Sequence, residues 1–220
     1  MINRNLISAA IPRLHLHDTV YLALQYMSDF HLTHLPVVQD DKFVGVVNEE
    51  SLLDVSDETA PLYRIQESFI PHFTGAGNHI FDTLSKITEY QLSSIAVVET
   101  DGNFVGSITQ QDLLKQLALF TGANDKGALI VLSMEKQDFS FSEISRLIET
   151  NDAYVTQLNT AHIPGTGEFI VILRINKFEV SDIIATLQRF EYNVKYYFGE
   201  ERYENELKSN YEHLMNYLNI

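Results

Sequence analysis

The sequence predicts an α+β protein of two parts, a duplicated β-α-β-β-α unit followed by a single β-α-β-β-α-β unit. Two observations carry this prediction: residues 11–53 align with residues 70–114, and the order of helical and strand patterns changes after residue 127. The chain has 220 residues, which is enough for two small domains that each bury a core. Its 45% apolar and 20% charged residues are typical of globular domains.

The internal repeat rests on short matching segments that need only two one-residue insertions. The first helix of each copy has apolar residues that recur at helical spacing. A β-branched run, a turn rich in Asp, Gly or Asn, a second strand and a second helix follow. The matched segments are Ile11-Pro12 with Ile70-Pro71, Leu35–Val38 with Ile95–Val98, Phe43–Gly45 with Phe104–Gly106, and Leu52-Leu53 with Leu113-Leu114. We expect the two copies to cover each other's apolar faces.

The helix faces of the two copies are predicted from the same spacing. In the first copy the apolar positions are Val20, Ala23, Leu24 and Met27, and in the second they are Ile80, Leu84 and Ile87.

The second part begins after Thr121–Gly127, which has no apolar periodicity and is predicted to be a linker. Strong start signals mark a helix over 140–149, since Ser140 and Glu143 form a capping-box pattern and Phe139 and Ile144 stand at hydrophobic-staple positions. The other predicted elements are strands at Ala128–Met134, Ala153–Ala161, Phe169–Ile175 and Val194–Phe198, and a helix with apolar residues Val180, Ile183, Ile184 and Leu187. This order is that of the ferredoxin-like fold.

The C-terminal residues 200–220 have a helical pattern in which Leu207, Tyr211, Leu214 and Leu218 form one seam. Such a seam packs either against the chain's own domains or against a partner or dimer helix. Two heptads alone make a marginally stable helix.

Composition excludes several classes of function. A formal net charge of −15 disfavours nucleic acid and anionic membrane surfaces as partners. The absence of cysteine excludes disulfides, thiolate metal sites and thiol nucleophiles. The apolar stretch Leu6–Ile11 is too short for a signal-peptide core or a membrane span, so the sequence predicts a cytoplasmic protein. No hydrolase elbow, Walker loop or zinc-protease motif occurs, so enzymatic activity is not expected.

The duplicated unit resembles a pair of cystathionine β-synthase (CBS) domains, the Bateman module, over residues 1–120. Residues 128–199 are similar to an ACT domain, and the combination resembles the CBS/ACT proteins described as acetoin utilisation proteins. The resemblance implies a non-catalytic regulatory protein that needs no cofactor, binds AMP, ADP, ATP or S-adenosylmethionine between the repeats, and forms a homodimer. Occupancy of the cleft would be relayed to the ACT unit or to a partner.

The family motif is a glycine, hydrophobic residues, Ser or Thr, two residues and Asp. Gly106–Asp112 fits it, which implies that the Thr109 hydroxyl faces phosphate and the Asp112 carboxylate holds the ribose hydroxyls. Ser94, Ile95 and Ala96 would form the backbone and apolar wall against adenine. The first copy departs from the motif at Asn48 and Ser51, so one good site is expected.

Independent physical reasons favour an anion at this segment, because it joins a strand to a helix N-terminus. The alternative is that Thr109 and Asp112 form a capping box that needs no ligand. Both interpretations stay open at this point.

Other candidate sites carry weaker signals. His15 and His17 share a strand face and His31 and His34 stand one helical turn apart, but no third ligand follows at a telling distance, so no metal site is expected. Arg13, Arg64 and His72 are candidates to neutralise phosphate.

The resemblance also raises an amino-acid sensor, but the ACT-like loop Glu135–Phe139 lacks the glycine that such domains use, which favours a structural or dimerising role. The leading hypothesis is an adenine-nucleotide sensor. The alternatives are a dimeric scaffold with empty CBS clefts and an amino-acid sensor.

Overall fold

The computed structural model describes residues 1–8, 10–163, 165 and 167–199. It divides the chain into two compact units, Met1–Phe120 and Thr121–Ile220. The helix predicted over 200–220 lies outside the described residues. Within the described part of the chain, every helix is too short or too polar to cross a membrane.

The N-terminal unit contains the β-α-β-β-α order twice, as the sequence predicts. The first repeat consists of β1 (Leu14–His15), α1 (Val20–Phe30), β2 (His34–Gln39), β3 (Lys42–Asn48) and α2 (Glu49–Leu53). The second repeat consists of β4 (Phe73–Gly75), α3 (Ile80–Glu89), β5 (Ser94–Val98), β6 (Phe104–Thr109) and α4 (Gln110–Phe120). Each forms a three-stranded sheet with one parallel and one antiparallel pairing.

Each repeat has its own buried cluster on the helix side of its sheet. Val20, Ala23 and Met27 of α1 are buried in the first cluster, and Ile80 and Ile87 of α3 in the second. Leu24 and Leu84 pack against these clusters while partly exposed. The helix faces predicted from the spacing are therefore confirmed.

Two short 3₁₀ segments, Asn3–Leu6 and Leu62–Ser68, were not foreseen from the sequence. The first belongs to an N-terminal segment (residues 1–8) that pairs with the second repeat through the bridges Ile2–His79 and Ser8–Ser107. The second belongs to a linker segment (residues 60–70) that pairs with the first repeat through Thr19–Pro61 and Val46–Ile70. Each repeat is thus completed by a segment that precedes the other one.

The crossing segments explain the glycine that both repeats share. A Cβ at Gly45 would lie 2.8 Å from Cβ of Phe69 in the linker segment. At Gly106, whose φ is +152°, a Cβ would overlap Ile7 of the N-terminal segment. Both glycines permit the close approach of a neighbouring chain segment.

The C-terminal unit has the predicted β-α-β-β-α-β order. Its elements are β7 (Leu129–Met134), α5 (Phe141–Glu149), β8 (Val155–His162), β9 (Phe169–Ile175), α6 (Ser181–Arg189) and β10 (Asn193–Phe198). The strands form one antiparallel sheet in the order β10-β7-β9-β8. The two helices and this sheet enclose a single buried cluster, which is the ferredoxin-like arrangement.

The start of α5 follows the predicted cap. Ser140 Oγ accepts a hydrogen bond from Glu143 N at 3.4 Å, and Phe139 and Ile144 join the same core. The Glu143 carboxylate is engaged by Tyr192, whose Oη donates to it at 3.1 Å. The predicted loop after β7 contains a 3₁₀ turn, Lys136–Asp138.

Candidate functional site

The two repeats meet where β2 and β5 begin. Ser94 Oγ donates to His34 O at 2.7 Å, and Thr33 N donates to Ser93 Oγ at 2.9 Å. Ser93 N donates to His34 Nδ1 at 3.3 Å, which requires that nitrogen to be unprotonated. Burial lowers the pKa of His34, because the charged imidazolium loses hydration there. These contacts fix the first residues of the two central strands against each other.

The family-like motif lies beside this junction. Thr109 ends β6 and α4 begins at Gln110, so the motif occupies the N-terminus of an eleven-residue helix. Thr109 also pairs with Ser94 across β5 and β6. In the first turn of α4, Gln110 N already donates to Ser93 O at 3.1 Å and Asp112 N donates to Thr109 Oγ1, so it is the positive end of the helix dipole that favours an anion here.

Thr109 and Asp112 are hydrogen-bonded to each other. Asp112 N donates to Thr109 Oγ1 at 3.1 Å. In return, Thr109 Oγ1 and Thr109 N donate to Asp112 Oδ2 at 2.7 and 3.2 Å. This is the reciprocal geometry of a capping box, so Thr109 and Asp112 do form the cap that their spacing allows.

The three predicted wall residues differ in orientation. Ser94 and Ala96 are buried on the face of β5 opposite the second repeat's core, whereas Ile95 belongs to that core. Strand alternation explains this difference. Ile95 therefore presents its backbone, and only Ser94 and Ala96 have side chains on the face where the repeats meet.

The first repeat forms a cleft at the equivalent position, the start of α2, and its cavity has a volume of about 330 Å³. Asn48 Oδ1 caps α2 by accepting from Ser51 N at 2.9 Å, which matches the role of Thr109 in α4. Glu49 and Glu50 follow at the cleft, where the second repeat has Gln110 and Gln111. The cavity is lined by Thr33, His34, Asn48, Glu49, Glu50, Tyr90 and Gln91.

Sequence reasoning missed several of these lining residues. Tyr90 and Gln91 follow α3 of the second repeat, and Thr33 precedes β2 of the first, so only tertiary structure brings them together. The one available signal was the repeat itself, which predicts that clefts form between equivalent elements.

The candidate phosphate-neutralising residues have other partners. Arg13 forms an ion pair with Asp41 at 2.9 Å, and His72 stacks on Tyr90 with ring centroids 3.6 Å apart. The charge of Arg64 acts on the Asp57 carboxylate. The pKa of Asp57 is lowered mainly by hydrogen bonds from Thr59 and, to a smaller extent, by the positive charge of Arg64.

The prediction for the histidine pairs is partly wrong. His31 ends α1 with a left-handed backbone and His34 begins β2, so they do not lie one helical turn apart on one helix. The chain reverses its direction between them, because the left-handed residue ends the helix. His15 and His17 are both exposed near β1. No group of three or more potential metal ligands occurs among the described residues.

The C-terminal unit has a polar cavity of about 510 Å³ beside the loop after β7. Three carboxylates line it, those of Asp138, Glu143 and Glu191. Burial raises the pKa of Tyr192, also in the lining, to about 12, and the Glu143 carboxylate contributes to the shift. This cavity is strongly acidic.

Comparison with known proteins finds a family match in the first half of the chain. The profile of the CBS domain family matches residues 4–58 and 72–119. Inosine-5'-monophosphate dehydrogenase of Methanocaldococcus jannaschii is 24% identical over 149 residues, covering 66% of this chain and 29% of the dehydrogenase. This chain therefore spans less than a third of that enzyme's length.

Two solved structures match part of this chain. A CBS domain pair/ACT domain protein from Thermotoga maritima has 24% identity and a TM-score of 0.50, with 55% of this chain and 98% of that chain covered. A putative acetoin utilization protein from Vibrio cholerae has 18% identity and a TM-score of 0.47, covering 57% and 98%. Each of these matches covers only about half of this chain. The assignment of the C-terminal unit as an ACT domain therefore stays a prediction. The two matched segments, together with the duplicated fold, show that the N-terminal half of the chain is a tandem pair of CBS domains.

Proposed function

We propose that this protein is a non-catalytic regulator that binds an adenine nucleotide or a related adenosyl ligand at the second CBS repeat. The observation that carries the proposal is the Thr109–Asp112 pair, which stands at the start of α4 beside the contact between the two repeats. A ligand held there touches the motif and the junction together.

The geometry supports this chemistry even though the pair is also a capping box. The bonds from Thr109 go to Oδ2 of Asp112. A carboxylate has about four acceptor sites, so its other oxygen suits a ribose diol. The dipole at the α4 N-terminus favours phosphate. Ser94 and Ala96 are each only 1% exposed, so a base reaches them only where the junction between the repeats opens. The Thr109 hydroxyl proton is already donated to Asp112 Oδ2, so this hydroxyl does not face phosphate as the resemblance implies. A cap and a ligand site are compatible when the ligand uses Oδ1 of Asp112 and the dipole of α4.

Regulation requires that the ligand bind two arrangements of the protein with different affinity. The contacts of His34 with Ser93 and Ser94 are the part of the repeat junction next to the motif. We propose that occupancy changes this junction and thereby the behaviour of the ACT-like unit or of a partner, in a cytoplasmic homodimer.

The test compares matched cap deletions in the two repeats of the full chain. Thr109→Ala and Asn48→Ala each remove an N-cap, so each lowers stability by about 1 kcal/mol. Only Thr109→Ala and Asp112→Asn are expected to weaken the binding of AMP, ADP, ATP or S-adenosylmethionine, measured by calorimetry.

Thermal shift supplies the second readout. A ligand at about 100 times its Kd stabilises the wild-type chain by about 2.7 kcal/mol. If none of these ligands raises the Tm, or if Asp112→Asn binds them as well as the wild type, the proposed site is wrong.

A dimeric scaffold with empty CBS clefts is the second candidate. The closed bonding between Thr109 and Asp112 favours it, because the pair is satisfied without any ligand. Absence of binding together with a dimer in sedimentation analysis would support this function.

An amino-acid sensor through the C-terminal unit is the third candidate. The carboxylates of Asp138, Glu143 and Glu191 around its cavity would repel the α-carboxylate of an amino acid. Screening the amino acids in the same thermal-shift assay tests this candidate directly.

A further inference from the structure

The N-terminal segment and the linker segment hold equivalent positions on opposite repeats. Two consecutive backbone bonds from each segment to its repeat correspond, which makes Asn3 the counterpart of Leu62. The paired bonds are Asn3 N to Asn78 O and Leu62 N to Asp18 O, then Arg4 N to Ala76 O and Tyr63 N to Leu16 O, all between 2.9 and 3.0 Å.

Asn3 takes part in a closed ring of buried hydrogen bonds. Its Nδ2 donates to Thr74 Oγ1 at 2.9 Å, and Thr83 Oγ1 donates to Asn3 Oδ1 at 2.9 Å. Because the Thr83 proton is used in that bond, the 2.9 Å contact between the two hydroxyls has Thr74 as its donor. The other Asn3 amide proton goes to Gly75 O at 2.8 Å. All three side chains have 0% exposure.

The equivalent positions in the first repeat are apolar. Leu14 pairs with Val37 as Thr74 pairs with Val97, and Val37 and Val97 match in the repeat. Ala23 and Thr83 are each the fourth residue of their helix. Leu62, Leu14 and Ala23 all belong to the buried cluster of the first repeat. Three polar residues therefore fill this site in the second repeat, and three apolar residues fill the equivalent site in the first repeat.

We propose that the Asn3–Thr74–Thr83 triad determines which crossing segment pairs with which repeat. If Asn3 were placed in the first repeat, its amide would be buried beside Leu14 and Ala23, which offer no side-chain hydrogen-bond partner in place of Thr74 and Thr83. If Leu62 were placed in the second repeat, the hydroxyls of Thr74 and Thr83 would lose theirs. Both exchanges are therefore penalised, which is how polar groups commonly specify one pairing against another.

This selection matters because a duplicated sequence offers wrong partners within the chain and between copies. Two similar segments and two similar repeats allow an exchange in which each segment pairs with the repeat that follows it, or with a second molecule. The device is independent of ligand binding and of the proposed function.

The first experiment measures whether the triad acts as a matched set. Asn3→Leu alone, and Thr74→Leu with Thr83→Ala, should each lower the Tm of the full chain by about 5 °C or more. The triple variant recreates the apolar set of the first repeat and should recover most of that loss. A triple variant whose Tm loss equals the sum of the two partial variants would contradict a matched set.

The second experiment measures pairing itself, using the absence of cysteine from the chain. Ile2→Cys with His79→Cys reports native pairing, and Ile2→Cys with Thr19→Cys reports the exchanged one, since His79 and Thr19 precede α3 and α1 equivalently. In the wild-type background only the first pair should form a disulfide.

In the triple-variant background the Ile2–Thr19 disulfide, within one chain or between two on a denaturing gel, should increase at least about tenfold. Equal yields of both pairs in the wild-type background, or no increase in the triple variant, would overturn the proposal. The second outcome would leave the triad as a stabilising network without a role in selecting partners.

Discussion

At the scale of single residues, the His34 side chain joins the two CBS repeats through an unprotonated nitrogen. Its Nδ1 accepts from Ser93 N, and burial lowers its pKa below the ordinary value near 6.5. Between the two pKa values the unfolded chain binds the proton more readily than the folded one. The His34 contribution to stability is therefore complete above about pH 6.5 and is lost as the pH falls towards the lowered pKa.

The wild-type chain should lose unfolding free energy as the pH falls from about 7.5 to about 5.5, and His34→Gln should lose less of it. Glu49, Glu50 and Tyr90 line the same cavity and remain in the variant. Urea unfolding at the two pH values measures the difference, with His162→Gln, an exposed histidine of β8, as the control. An unchanged pH dependence in His34→Gln would contradict the assignment.

Gly106 gives a second prediction at this scale. Gly106→Ala would place a methyl group against Ile7 and in an unfavourable backbone conformation, so we expect a loss of at least about 1–3 kcal/mol in unfolding free energy. Gly77→Ala is the control, because the methyl group added there would have no atom within 4 Å. Equal stability of the two variants in chemical denaturation would show that the N-terminal segment does not approach β6 so closely.

At the scale of elements, the N-cap hydrogen bond of Ser140 sets the start of α5. Ser140→Ala removes the acceptor for Glu143 N, and we expect a destabilisation of about 1 kcal/mol. Ser145→Ala, at a half-buried position of the same helix where the hydroxyl makes only a 3.3 Å bond to Glu149 Oε1, should change stability by less than about 0.5 kcal/mol. Denaturant unfolding followed by helical circular dichroism distinguishes the cap from a general effect of removing a hydroxyl.

The elements also show where sequence reasoning stops. The order and faces of α1, α3, α5 and α6 follow from apolar spacing, because a helix that packs on a sheet needs one continuous apolar side. The 3₁₀ segments 3–6 and 62–68 have no such spacing. Their backbones are held by the turns that follow β4 and β1 in the opposite repeat, and this contact has no local signature.

At the scale of the whole molecule, the charge of −15 acts against compactness. Raising NaCl from about 0.02 M to about 0.5 M screens this repulsion, so we expect the Tm to rise by a few degrees. Glu49→Gln with Glu50→Gln changes the charge from −15 to −13 and should weaken the salt dependence. A Tm that falls with added salt would indicate that attractive ion pairs outweigh the net repulsion.

The sequence by itself determined the two-part α+β organisation, the duplication, the helix faces and the residues of the second CBS motif. These depend on periodicity and on matches between the two copies, which a linear chain displays. Spacing along the chain also offered the Thr109–Asp112 capping box, and the structure shows that it forms. Tertiary structure alone decided that Ile95 faces a core, that Tyr90 meets Glu49 at one cleft, and that Asn3 completes a ring with Thr74 and Thr83. Each of these depends on residues that only folding brings within hydrogen-bond or van der Waals distance, so their partners cannot be identified from spacing along the chain.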